Sequence, residues 1–246
     1  MPSFLSDEGI VLSAVDVGEE DRILTFLTRE HGLWRAGATS AKNLKKGRTA
    51  SLDLFVRSRL EVSVPRDSAR LKRVRSAEAL ETFLGIRSDY ARLCAASYVA
   101  ELVTRCVQED DPVEEIFHLV SLVFGMLEKG GGNYRTLLIF EGRFLKELGM
   151  APDINTCRKC GGQLEKSVRI APDQGGFFHE ECFPGVGESV LSPGDINNLR
   201  YILEKPIEFL PRLGVKEERA KAVFGELRRF SLHHLGFSPK TARNLP

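Results

Sequence analysis

The chain lacks any apolar run approaching the ~18 residues that a membrane-spanning helix requires. It also has no G-x-x-x-x-G-K-[ST] phosphate loop, no G-x-S-x-G elbow and no H-E-x-x-H metal signature, so none of the common nucleotide-hydrolysing, acyl-transfer or metalloprotease chemistries is written in it. The first residues, Met1-Pro-Ser-Phe-Leu-Ser-Asp-Glu, contain no basic stretch followed by an apolar one, which predicts a soluble, unexported, cytoplasmic protein. Cysteine is scarce: five residues, an odd number, fit a reducing compartment better than a disulfide framework. Cys94 and Cys106 lie in apolar helical stretches and read as small buried hydrophobes. Tryptophan occurs once, there is no internal repeat or low-complexity tract, and the formal net charge is only +1. The overall charge therefore points to no partner, and its distribution becomes the informative quantity.

What is present is an ordinary globular composition, 42% hydrophobic and 28% charged over 246 residues, with room for two domains at roughly 100–200 residues each. Three of the cysteines join a histidine in C-x2-C-x18-H-x2-C, formed by Cys157, Cys160, His179 and Cys182. Two residues between paired ligands let a tight turn aim both side chains at one ion, so the spacing predicts a zinc ribbon with a structural, four-ligand Zn2+. Gly161-Gly162 and Gly175-Gly176 flank the pairs and suit such turns. His179-Glu180-Glu181 also satisfies the H-x-E of zinc deaminases, but there the C-x-x-C follows H-x-E and here it precedes it.

Up to about residue 80 the pattern is that of strands. Gly9–Val17, Asp21–Thr28 and Leu33–Thr39 are short apolar runs separated by turn compositions. Leu52–Val64 alternates, with even positions from Leu54 to Val64 mostly apolar and Arg57, Arg59 and Glu61 opposite, and Arg70–Ser76 makes a basic fifth strand. Five short strands predict a small closed barrel, because closure removes exposed edges. From Ala77 onward the period is helical: Ser88–Gln108, a helix opened by Asp111-Pro112, one from Asn133 to Gly149, one opened by Ser192-Pro193, and Lys216–Leu235. The fold class expected is α+β: a barrel at 1–80, then a helical bundle at 81–246 with the zinc segment inserted at about 154–187.

Between Arg35 and Arg75 twelve basic residues face three acidic ones, a local excess of nine in a nearly neutral chain. They include Arg35, Lys42, Lys45, Lys46, Arg48, Arg57, Arg59, Arg70, Lys72, Arg73 and Arg75, and those eleven are the candidate DNA contacts. A solvated charged face without a ligand is the ordinary alternative, but coincidence with a small barrel favours nucleic acid. Trp34 suits either base stacking or core filling.

The order of these parts resembles the bacterial RecO family of recombination mediators along nearly the whole chain. Three stretches carry the likeness: Asp21-Arg-Ile-Leu-Thr-Phe-Leu-Thr-Arg-Glu-His-Gly32 with the basic loop after it, the helix through Tyr98 and Glu101-Leu102, and Phe144-Leu-Lys-Glu-Leu-Gly-Met-Ala-Pro152 leading into Cys157. The resemblance implies an N-terminal OB-fold that binds single- and double-stranded DNA and anneals complementary strands. It further implies a nucleoid-associated protein that works with RecR, contacts the C-terminal tail of single-strand-binding protein and acts on RecA indirectly, without catalysis. His179 departs from the four-cysteine site usual in the family. A protein-only adaptor and a zinc-dependent nucleic-acid-modifying enzyme are the competing classes.

Overall fold

The computed structural model describes residues 3–39, 50–66, 71–130, 133–183 and 190–245. The chain divides into two compact units, Met1–Lys129 with Pro239–Pro246, and Gly130–Ser238. In the first unit, strands β1 (Ser3–Val17), β2 (Asp21–Thr28), β3 (Gly32–Ala38), β4 (Arg57–Val64) and β5 (Lys72–Glu81) close into a barrel of order β1-β2-β3-β5-β4. The long β1 makes closure possible by pairing with β4 through Ser3–Ile10 and with β2 through Gly9–Val17. Gly9 sits where the two ladders overlap, and a Cβ there would lie 2.6 Å from Leu60 Cδ1. Closure is completed by a short parallel pairing of Ala36 with Lys72 and Gly37 with Arg73.

Inward positions fill the barrel with Val11, Leu24, Phe26, Trp34, Ala36, Leu60, Val62 and Val74. Trp34 is fully buried, so of its two readings the structure selects core filling. Asp7, also inside, accepts the N–H groups of Glu8 and Glu30 and bonds His31 Nδ1 at 2.8 Å, tying β1 to the β2–β3 turn. Burial of this carboxylate is compensated by three partners, as a low-dielectric site requires.

Three expectations for this region are corrected. The first strand begins at Ser3, not Gly9, because its pairing with β4 extends back to Ser3↔Val64. The fourth strand begins at Arg57, not Leu52, because Ala50–Leu52 forms a 3-10 turn and Phe55 adopts φ 68°, which breaks the alternation and leaves Leu54 exposed. The fifth strand runs on to Glu81, past the change of period at Ala77, since its pairing with β4 extends to Arg57↔Glu81.

Helices α1 (Leu84–Arg87), α2 (Tyr90–Cys106) and α3 (Glu114–Glu128) follow in the same unit. Asp89 caps α2 by accepting from Arg92 N–H. Phe124 of α3 meets Phe55 and Phe83 edge-on, so the apolar stripe of α3 is spent partly on residues of the barrel and its exit. Asp111 is not the N-cap of α3; that position is Val113, because residues 108–110 bond instead to the edge of β3 through Leu33. Glu114 and Glu115 in the first turn supply the favourable charge at this uncapped end. The terminal segment returns to the unit, where Glu101 of α2 accepts the N–H groups of Lys240 and Thr241, both at 2.9 Å.

The second unit holds α4 (Asn133–Glu147), the hairpin β6 (Val168–Ala171) and β7 (Gly176–His179), α5 (Pro193–Glu204) and α6 (Glu217–Leu235). The predicted start at Ser192-Pro193 is a capping box, with Ser192 and Asp195 satisfying each other's backbone and Arg219 paired to the buried Asp195 carboxylate. Glu217 caps α4 through the N–H groups of Tyr134 and Arg135, and Arg143 donates to the terminal carbonyls of α5. No helix among the described residues is long and apolar enough to cross a membrane.

Gly32 is the tightest point of the first unit. Its φ is +66°, and a Cβ would lie 2.0 Å from the Asp111 carbonyl oxygen. Gly32→Ala is expected to lower unfolding stability by at least about 2 kcal/mol; an unchanged urea midpoint would contradict this close approach.

Candidate nucleic-acid interface and metal centre

On the outer face of the barrel, strand register places one row of side chains across four strands. Phe4 pairs with Ser63, Ser63 with Arg73, and Arg73 with Gly37. Val74 points into the core, so Arg73 and Arg75 point out. Lys72, Arg73 and Arg75, with Gly37, Ser63, Pro65 and Leu71, line an open groove of about 690 Å3. Gly37 and Ser63, its cross-strand neighbours, contribute little side chain on either flank of Arg73.

The other described candidate contacts are committed in different ways. Arg57, 27% exposed, bonds Glu8 at 2.9 Å and Glu81 at 3.0 Å. Arg59 pairs with Glu78 at 3.1 Å. Lys72, only 12% exposed, reaches Asp110 at 2.9 Å and lies 6.0 Å from the Trp34 ring, while Arg35 stands 4.0 Å from Glu109. Among the described residues Arg73 and Arg75 have no ion pair, and Arg75 instead lies over the Phe4 ring, 6.0 Å from its centroid. The face thus splits into a neutralised end around Arg57 and Arg59 and a cationic end around Arg73. Lys42, Lys45, Lys46, Arg48 and Arg70 lie outside the described residues.

Counting charge along one segment missed this division. Glu8, Glu78, Glu81, Glu109 and Asp110 all fall outside Arg35–Arg75 in sequence and become neighbours only when β1, β5 and the α2–α3 connection close around β3 and β4. The odd positions Arg73 and Arg75, flanking the apolar Val74, were the available signal for an outward pair.

In the second unit the four motif residues converge. Cys157 Sγ, Cys160 Sγ, His179 Nδ1 and Cys182 Sγ all lie within 4.8 Å of one another, with Nδ1 3.4 Å from Cys160 Sγ and 4.0 Å from Cys182 Sγ. Donors around a tetrahedral ion with bonds of about 2.0–2.3 Å stand roughly 3.5–3.8 Å apart, so the donor set fits one ion. The local turns explain the convergence. Gly161 N–H bonds Cys157 O and Cys157 N–H bonds Gly162 O, both at 2.8 Å, and Arg158 N–H joins this knuckle to Phe177 O of β7. His179 Nε2 lies 2.9 Å from the Gln163 carbonyl, which fixes the proton on Nε2 and leaves Nδ1 to ligate.

Burial opposes ionisation of Cys157, but backbone N–H groups of Cys160, His179 and Lys159 outweigh it and lower the thiol to about 6. Cys182 is raised to about 11 by burial and by the neighbouring Cys160 and Cys157 sulfurs. Three crowded thiolates repel without a cation between them, and a bound divalent ion removes that conflict. Glu181, the carboxylate at the E position of H-x-E, lies in the 3-10 turn Glu180–Cys182 that carries the last ligand, and its neighbour Glu180 pairs with Arg169 at 3.1 Å.

Comparison with known proteins agrees with this arrangement of parts. Residues 1–83 match the family model described as Recombination protein O N terminal, and residues 87–243 that described as Recombination protein O C terminal. The chain is 33% identical over 231 residues to the DNA repair protein RecO of Myxococcus xanthus, covering 94% of this chain and 92% of the relative. It is 34% identical over 237 residues to the DNA repair protein RecO of Anaeromyxobacter sp. (strain Fw109-5), covering 93% and 90%. The corresponding protein of Pelotomaculum thermopropionicum is 31% identical over 229 residues, covering 93% and 88%.

Arg57, held between two carboxylates, is expected to act on stability. Arg57→Gln should cost about 1 kcal/mol in urea unfolding and leave oligonucleotide affinity unchanged. A loss of affinity at unaltered stability would move the interface to this end of the barrel.

Proposed function

The chain belongs to the bacterial RecO family, and on that premise we propose that it is a DNA-binding recombination mediator that anneals complementary strands and, with RecR, promotes RecA loading on DNA coated by single-strand-binding protein. RecO proteins are non-catalytic mediators. The observation that carries the DNA-binding reading is the cationic end of the barrel face, where Arg73 and Arg75 project into an open groove without intramolecular ion pairs among the described residues. The strand order supports assigning the barrel as an OB-fold, a fold that binds oligonucleotides on a sheet face and its flanking loops.

Annealing needs no catalytic residue, because base pairing supplies the free energy. The protein supplies positive charge, which displaces condensed counterions and lets two polyanions approach. The functional division is that residues 1–80 hold DNA while residues 81–246 carry the metal site and the surfaces for RecR and the single-strand-binding-protein tail. A cytoplasmic, nucleoid-associated location follows from that role.

The metal is assigned as structural Zn2+. A closed set of three thiolates and one imidazole leaves no position for water, and soft sulfur donors favour Zn2+ over Mg2+ or Ca2+. When bound, the ion cross-links the knuckle after α4 to the β6–β7 hairpin. Cys157, Cys160 and Cys182 hold it as thiolates, and the Gln163 carbonyl orients His179. Its share of folding energy is smaller than in an isolated finger, since α4 and α6 already pack in the same unit.

Two outcomes test this reading. Binding to single-stranded DNA should weaken with salt at a slope of about 0.7 per phosphate neutralised, and Arg73→Glu should flatten that slope and weaken binding to all sequences alike, as should reversal of Lys45, Lys46 and Arg48. Unchanged affinity of Arg73→Glu at every salt concentration would exclude the groove. Protein purified without chelator should contain about one zinc per chain, and Cys157→Ser should lose it and destabilise the second unit while DNA binding persists. Metal-free wild-type protein would contradict the ligand assignment.

A further inference from the structure

We propose that Phe4 is a base-stacking residue that makes the cationic groove favour single-stranded over duplex nucleic acid. This deepens the DNA-binding reading above and rests on it, adding the residue that distinguishes the two strand states.

Phe4 is 54% exposed on the outer face of β1, while its neighbour Leu5 turns inward against the barrel core. A single exposed aromatic needs no explanation by itself. Its surroundings supply one. The ring occupies the same cross-strand row as Ser63, Arg73 and Gly37, and the guanidinium of Arg75 lies 6.0 Å from its centroid. Ser63 and Gly37 are the small members of that row, so the ring and Arg73 are the two features that project from it.

Phe4 and Arg73 are separated by β4, hence by two strand spacings of about 4.8 Å, or roughly 10 Å. That distance spans about three nucleotides at the 3.4 Å rise of a stacked strand. A single strand crossing the row can therefore set a phosphate against Arg73 and lay an unpaired base on Phe4, with Arg75 adding charge beside the same ring. A duplex cannot use the second contact, because its base faces are already covered by stacking neighbours. It retains only the phosphate contacts.

The consequence for annealing is directional. A strand held by both contacts loses the Phe4 stack when its bases pair, so the product is held more weakly than the substrate. The aromatic that composition alone singles out, Trp34, is sealed in the core and cannot take this part.

The test uses the full chain and three fluorescent probes of equal length at one salt concentration: oligothymidylate, an abasic single strand and a duplex. Phe4→Ala is expected to weaken oligothymidylate binding by about five- to 150-fold, the effect of losing one base stack. Binding to the abasic strand and the duplex should not change, and Phe4→Trp, which keeps a ring, should bind oligothymidylate at least as well as wild type. Unchanged oligothymidylate binding by Phe4→Ala, or an equal loss on all three probes, would overturn the stacking role and leave the cationic groove standing. Failure of the wild-type chain to bind any of the three would remove the DNA-binding reading and this inference together.

Discussion

Barrel closure is the constraint on which the remaining structure depends. Among the described residues two pairs, Ala36 with Lys72 and Gly37 with Arg73, join β3 to β5, and they do so in parallel register. That short seam sets Arg73 between Gly37 and Ser63, and it brings Lys72 within reach of Asp110. The rest of β3's edge is satisfied by the α2–α3 connection, where Leu33 exchanges backbone hydrogen bonds with Gln108 and Asp110. Without Gly32 to admit Asp111 at this point, the connection and the edge could not approach.

Closure also decides which charges remain available. A cation flanked by two carboxylates, as Arg57 is, contributes little to the field felt by a polyanion, whereas one facing an open groove contributes nearly its full charge. The fold gathers acidic residues from β1, β5 and the α2–α3 connection around Arg57, Arg59 and Lys72 and, among the described residues, leaves Arg73 without an ion pair. A nearly neutral chain can thereby present a locally positive surface. Annealing fits such a surface, since it requires neutralisation of phosphates at one place and no reacting group anywhere.

Much of the architecture was legible because it rests on local signals. A short apolar run between turn compositions marked β2, a cap and a proline marked α5, and the knuckle spacing of Cys157, Cys160, His179 and Cys182 anticipated a cluster that the fold assembles. The family motif ending in His31-Gly32 now has structural reasons: His31 bonds the buried Asp7, and Gly32 receives Asp111. The failures share one cause, dependence on distant chain. Asp111 has the composition of a helix cap but serves the edge of β3, and the β4 alternation expected from Leu52 is broken by the left-handed Phe55. The acidic partners of Arg57 and Lys72 were invisible to a count along one segment for the same reason, as was the exposed Phe4 beside Arg75.

The central claim is that polynucleotide lies across the Arg73 end of the barrel. Hydrogen–deuterium exchange of the full chain with and without saturating single-stranded DNA tests it most directly. The account predicts protection concentrated at residues 3–6, 36–38, 62–65 and 72–76, with Arg57 and the 133–183 segment unaffected. Protection confined to the second unit, or centred on the ion-paired Arg57 and Arg59, would contradict it.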